Sequence, residues 1–137
     1  MVQIRALRDD EREWAATRYR ELRFAASPPG TLALIAEQGG APVGLGRLVE
    51  LEPGVLELGG IWTAEAARGR GVARAMVAAL LAQAPPGRLW CIPFAHLSAF
   101  YESCGFAPAP PPWPVSIAAK VAAVAAEGLP PAVVLVR

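Results

Sequence analysis

The spacing of apolar residues changes several times along the chain, and each change marks an element. Residues 2–6 predict a first strand, after which Asp10, with Glu13 three positions on, has the pattern of a capping box opening a helix that runs to Phe24. Ala15, Tyr19 and Leu22 carry the apolar face of that helix. "ASPPG" then breaks the chain, and residues 31–38 predict an apolar strand that stops at Gly39 and Gly40. The glycine pair predicts a tight hairpin into a strand over 41–51, and "EPG" at 52–54 turns the chain into another over 55–63. Three consecutive strands joined by short turns make an antiparallel meander.

Good helix formers fill residues 71–84, and "PPG" at 85–87 leads into a short strand over 88–92. That strand returns by a crossover, so it lies parallel to the strand at 55–63. Residues 95–104 predict a helix closed by Gly105, and the prolines at 108, 110, 111, 112 and 114 form a stiff connector. A helical period resumes over 115–127, with Ile117, Val121 and Val124 on one face and Lys120 and Glu127 off it, before a last strand over 132–136. The pattern is that of an α/β chain: a mixed sheet in which an antiparallel meander is joined to a parallel strand pair, with helices on both faces.

Composition narrows the class. Apolar residues make up 54% of the 137 residues and charged residues 18%, enough to bury a core, and the length suits one domain over 1–137. A net charge of +1 gives no whole-molecule field for nucleic acid or an anionic membrane, so neither is expected as a partner. The first residues carry charge from Arg5 onward and lack the apolar core of a signal peptide, and no run reaches the about 20 apolar residues of a membrane span. Cys91 and Cys104 have no metal-ligand spacing, which predicts two free thiols, a cytoplasmic location and no metal.

The candidate chemistry lies in "ARGRGVARAMVAALLAQ", residues 67–83, where two glycines flanked by arginines feed directly into a helix. A helix N-terminus presents unpaired amides and the positive end of the dipole, so it holds a phosphate without any side chain. Glycines let the backbone approach, and Arg68, Arg70 and Arg74 add charge at the rim. A P-loop is excluded because no Lys followed by Ser or Thr is present, and a dinucleotide fingerprint counted from Gly69 would need glycine where Arg74 stands. A second clue is Gly59 and Gly60 inside a predicted strand, which marks a bulge or a close approach to the main chain.

Arg68, Gly69, Arg70, Gly71, Val72 and Ala73 match [QR]-x-x-G-x-[GA], and the segment resembles the pyrophosphate-binding motif of the GNAT superfamily of acyl-CoA-dependent N-acyltransferases. "ELGGIWTAEAARGRGVA" resembles that family's fourth strand and turn into the central helix, and "FYESCGF" its tyrosine-bearing helix. The resemblance covers most of the chain. It implies a GNAT-like fold whose parallel strands splay at the cofactor site, with acetyl-CoA as cosubstrate. It further implies that Ile61, Trp62 and Thr63 give main-chain contacts to the pantetheine arm, as a peptide does at a sheet edge, and that a backbone N–H there stabilises the oxyanion. The side chains of Ile61 and Trp62 have a plainer use in core packing.

The resemblance also implies two catalytic side chains. An alkylammonium of pKa about 10.4 must lose its proton before attack, costing about 4.6 kcal/mol at pH 7 without help. Glu57, four residues before Ile61, stands where some members carry the base, its alternative being a solvated strand carboxylate. Tyr101 matches the tyrosine that protonates the departing thiolate, a transfer uphill by about 2 kcal/mol from ordinary values of about 10 and about 8.5. His96 reads as a capping or surface residue. Two departures stand out: Phe94 occupies a position where the family often has Asn, and the usual second helix between the first two strands has little room, "ASPPG" supplying at most a short loop.

The activity expected is therefore acetyl transfer from acetyl-CoA to a primary amine, on a small molecule or a peptide, by direct attack. The alternative is a catalytically inactive acyl-CoA-binding module, serving as a sensor or complex subunit. An apolar edge would allow a homodimer.

Overall fold

A computed structural model describes residues 2–137; Met1, the first residue of the expected 1–137 domain, lies outside them. The strands are β1 (Gln3–Ala6), β2 (Leu32–Gln38), β3 (Ala41–Glu52), β4 (Val55–Thr63), β5 (Leu89–Cys91), β6 (Ala107–Pro108) and β7 (Leu135–Val136). The helices are α1 (Arg12–Glu21), α2 (Val72–Gln83), α3 (Ser98–Ser103) and α4 (Val115–Ala126). The strands form a mixed sheet in the order β1-β2-β3-β4-β5-β7-β6, with helices on the sheet faces, which is the expected fold class. The chain clusters into two compact units, residues 1–49 with 60–84 and residues 50–59 with 85–137.

In the first unit β1, β2 and β3 are antiparallel neighbours, and the β2-β3 hairpin turns through Gly39 and Gly40 at φ 59° and 78°. Two successive positive φ values suit the twist of a two-residue hairpin loop, and only glycine adopts both without strain. Alternation along β3 then serves two helices. Leu45 joins Ala15 and Tyr19 of α1 in a cluster with Ile35, against which Trp14, Phe24 and Trp62 pack. Gly44 and Gly46 instead admit α2: a Cβ on Gly46 would lie 2.7 Å from Met76 Cγ, and one on Gly44 2.9 Å from Val72 Cγ1. The seated stripe is Val72, Met76, Val77 and Leu80, each fully burying side chain contributing about 1.5–3 kcal/mol.

The start and end of α1 differ from the sequence expectation. Glu11, not Asp10, is the N-cap of α1, and its carboxylate serves the preceding 3-10 turn, Asp9–Glu11, accepting the Arg8 amide at 2.8 Å and two nitrogens of Arg5 at 2.8 and 2.7 Å. The contact with Arg5 on β1 is tertiary, so no local pattern announces it. The helix ends at Glu21 rather than Phe24, because Arg23 takes a left-handed φ of 62° and the Phe24 amide turns back to the Tyr19 carbonyl at 2.9 Å.

In the second unit β4 and β5 are parallel as expected, with Leu56 opposite Leu89 and Glu57 opposite Trp90. The connector contains a strand that the prolines conceal: β6 pairs antiparallel with β7 through Ala107 and Pro108. The last strand is correspondingly short, and Ala132 makes only an isolated bridge to Phe94. The helix expected over 95–104 is a 3-10 turn followed by α3, closed by Gly105 at φ 99°. Val55, Trp90, Ile117 and Val134 form the core here. Lys120 is not off the packed face of α4, because its ammonium is drawn to a carboxylate on β4.

Candidate functional site

The segment between β4 and α2 is built for backbone recognition. A 3-10 turn over Glu65–Ala67 delivers an extended Arg68, and Gly69 and Gly71 follow at φ 77° and 81°, Gly71 as the N-cap of α2. A Cβ at either glycine would meet nothing within 4 Å, so backbone conformation alone demands glycine there. No side chain caps the helix and its first turn holds no acidic residue. The first-turn amides therefore have no side-chain partner at the cap, and Arg68, Arg70 and Arg74 are exposed, features that fit a diphosphate.

The mid-strand glycines of β4 have separate explanations. Gly60 takes φ 60°, and a Cβ on it would fall 2.8 Å from the Tyr19 hydroxyl and 2.9 Å from Arg47 Nε. The approach expected from the sequence is thus made by two side chains of the same unit. The Tyr19 hydroxyl donates to the Gly60 carbonyl at 2.8 Å, and burial pushes its pKa up to about 12 against the opposing pull of Arg47. Arg47 is itself buried, lies 4.3 Å over the Tyr19 ring and donates to Ser27 Oγ at 2.7 Å. Trp62 follows with its indole edge-on to Trp14 at 5.9 Å and Arg18 5.0 Å above its ring, so its side chain packs.

The second unit brings Glu57 and Tyr101 into one electrostatic neighbourhood. Glu57 is only 4% exposed, not a solvated strand carboxylate, and both its oxygens accept from Lys120 Nζ, at 2.5 and 2.7 Å. Tyr101 is buried with its ring edge-on to Phe100 and Phe106 at 5.0 and 6.3 Å. Its hydroxyl is a weaker acid than usual, first through burial, then through the neighbouring thiols Cys91 and Cys104 and the Glu57 charge. The proton consequently stays on Tyr101 at neutral pH. Burial likewise raises the Cys91 thiol.

The sequence model of the Acetyltransferase (GNAT) family matches residues 1–106. The chain belongs to the GNAT acetyltransferase family. It is an acyltransferase of a family that uses acetyl-CoA. Comparison with curated proteins finds no match. Among solved structures the fold is similar to Escherichia coli ElaA, with a TM-score of 0.73 and 16% identity over 100% of this chain and 99% of that one. It is similar also to the ribosomal-protein-S18-alanine N-acetyltransferase of Escherichia coli, with a TM-score of 0.69 and 20% identity over 99% and 92%. N-acetylglutamate synthase from Neisseria gonorrhoeae, complexed with coenzyme A and N-acetyl-glutamate, gives 0.70 and 17% over 100% of this chain and 35% of that one.

The family match stops before α4, so Lys120 lies outside the part of the chain that the family pattern describes. Sequence reasoning passed over Lys120, Tyr19 and Arg47. Arg47 had a faint signal, a lone cation in the apolar run "GLGRLV"; the other two had none. Phe94 caps the 3-10 turn and stacks on His96 at 6.0 Å, where an Asn had been the family expectation. Among the described residues no helix is long and apolar enough to cross a membrane, and no cluster of His, Cys, Asp and Glu could hold a metal ion.

Proposed function

We propose that the protein is an N-acetyltransferase that moves the acetyl group of acetyl-CoA to a primary amine by direct attack, with residues 1–137 as one domain. The observation that carries this reading is the pair of left-handed glycines opening α2, a helix that no side chain caps. The likeness to ElaA over the whole chain supports the single domain.

Bound acetyl-CoA would supply an acetyl group activated as a thioester. The amides of Gly69, Arg70, Gly71, Val72, Ala73 and Arg74, with the Arg68 side chain, hold its diphosphate. The backbone of Ile61, Trp62 and Thr63 orients the pantetheine arm; the paired register of β4 with β5 comprises Leu56 and Glu57, which supports a free role for the later residues of the strand. Glu57 takes the proton of the acceptor ammonium, directly or through water, before the neutral amine attacks; the second nitrogen proton, lost as the tetrahedral adduct becomes the amide, replaces the one that Tyr101 gives up. Tyr101 gives its hydroxyl proton to the sulfur as the C–S bond breaks. With its hydroxyl already a weak acid, that hand-over is steeper than ordinary values give and requires the thiolate to be desolvated beside it.

One observation favours a second reading, the non-catalytic acyl-CoA-binding module: Lys120 engages both oxygens of the proposed base. The two readings part in a single experiment. Purified protein is mixed with radiolabelled acetyl-CoA and a panel of amines, amino acids and peptides, while coenzyme A binding is followed by calorimetry. Transfer to at least one amine establishes the enzyme; binding without transfer across the panel establishes the module.

A further inference from the structure

Glu57 and Lys120 are 63 residues apart in sequence, yet the ammonium sits within 2.7 Å of both carboxylate oxygens. The carboxylate is almost wholly buried, whereas the lysine side chain is one-third exposed, so the pair has one inner and one outer member. A carboxylate in such a site keeps its charge only if a cation or strong donors compensate the lost water. α4 is tied to the sheet a second time, independently: Glu52 Oε2 accepts the Ser116 amide at 2.8 Å, and Ile117 is fully buried between these two polar ties. The helix thus presents Lys120 to β4 at a fixed height. The other titratable groups of this neighbourhood are Cys91 on β5, Tyr101 on α3 and Cys104 just after it.

We propose that Lys120 of α4 is a positioning residue for acetyl transfer, holding the Glu57 carboxylate ionised and aligned as the base. This rests on the reading of Glu57 above. The outer, solvent-reaching ammonium can swing along its flexible stem, releasing one carboxylate oxygen to the incoming amine while keeping the other. The carboxylate is then held by a helix outside the segment matched by the family pattern.

The test is the pH profile of kcat/KM for the wild type, K120R, K120M, E52Q and E57Q. In K120M the buried carboxylate loses its compensating charge, so the acidic limb should move up by about one pH unit or more, with the loss of kcat/KM greatest on the acid side of that limb. K120R retains the cation and should keep the wild-type limb. E52Q loosens α4 without touching the pair; it should leave the limb in place, and a limb shifted as in K120M would mean that the lysine merely anchors the helix. Should K120M not fold, K120Q, which keeps donors but no charge, should show the same displaced limb. Higher activity in K120M overturns the proposal, since the lysine would then be blocking the base. An E57Q profile identical to wild type sinks the reading of Glu57 itself. An altered E57Q profile beside an unmoved K120M limb sinks only the role of Lys120.

Discussion

The loop before α2 and the Glu57 neighbourhood are built on opposite principles. The loop is exposed, local and made of main chain: its glycines stand two residues apart and its donors are amides of consecutive residues. The Glu57 neighbourhood is buried, non-local and made of side chains, drawing on β4, β5, α3 and α4. A main-chain site tolerates almost any side chain that leaves the backbone conformation alone. A buried side-chain site fails when one partner is lost, because the remaining charge has no water to turn to. Binding and chemistry should therefore respond to different kinds of substitution.

The largest effect is expected in the buried region. Tyr101→Phe keeps the ring contacts with Phe100 and Phe106 and removes only the hydroxyl, so coenzyme A affinity should hold while the chemical step slows about 10²-fold to 10⁴-fold. Single-turnover acetyl transfer measures this without interference from product release, and equal rates would remove Tyr101 from the chemistry. In the loop, Gly71→Val should act the other way, raising the dissociation constant of coenzyme A more than about tenfold, because a β-branched residue resists φ 81° and its side chain crowds the amides. Unchanged affinity in the folded variant would break the contrast between the two regions.

The smallest effect should fall outside both regions and serve as their control. Arg5, aided by the Arg8 amide, lowers the Glu11 carboxyl from 4.5 to about 2. A carboxyl lowered on folding contributes stability above its unfolded value, which is lost as pH falls from about 4.5 toward 2. Arg5→Met should flatten the fall of the melting temperature across that window, with coenzyme A affinity and transfer rate at pH 7 unchanged. A change in either would mean that the cap of α1 reaches the site.

Much of the fold could be read from the chain because it is written in periods and punctuation. Gly39, Gly40, Gly54 and Gly105 stand where the backbone needs a positive φ, and the turns fell where those residues placed them. β6 was hidden because two residues with a proline carry no alternation, and the pairing with β7 is all that makes them a strand. Nothing in the pattern singled out Gly44 and Gly46 of β3, which are where Val72, Met76 and Leu80 of α2 come down on the sheet.

By itself the sequence determined the sheet class and the glycine turn into α2, because each depends on residues within a few positions of one another; Glu57 and Tyr101, far apart in the chain, became candidates only through the family resemblance. Tertiary structure alone decided that Glu57 is buried against Lys120, that Gly60 makes room for Tyr19 and Arg47, and that Glu11 rather than Asp10 caps the first helix. These are meetings of side chains 63, 41 and 6 residues apart, and their strength comes from the exclusion of water, which no local pattern of residues records.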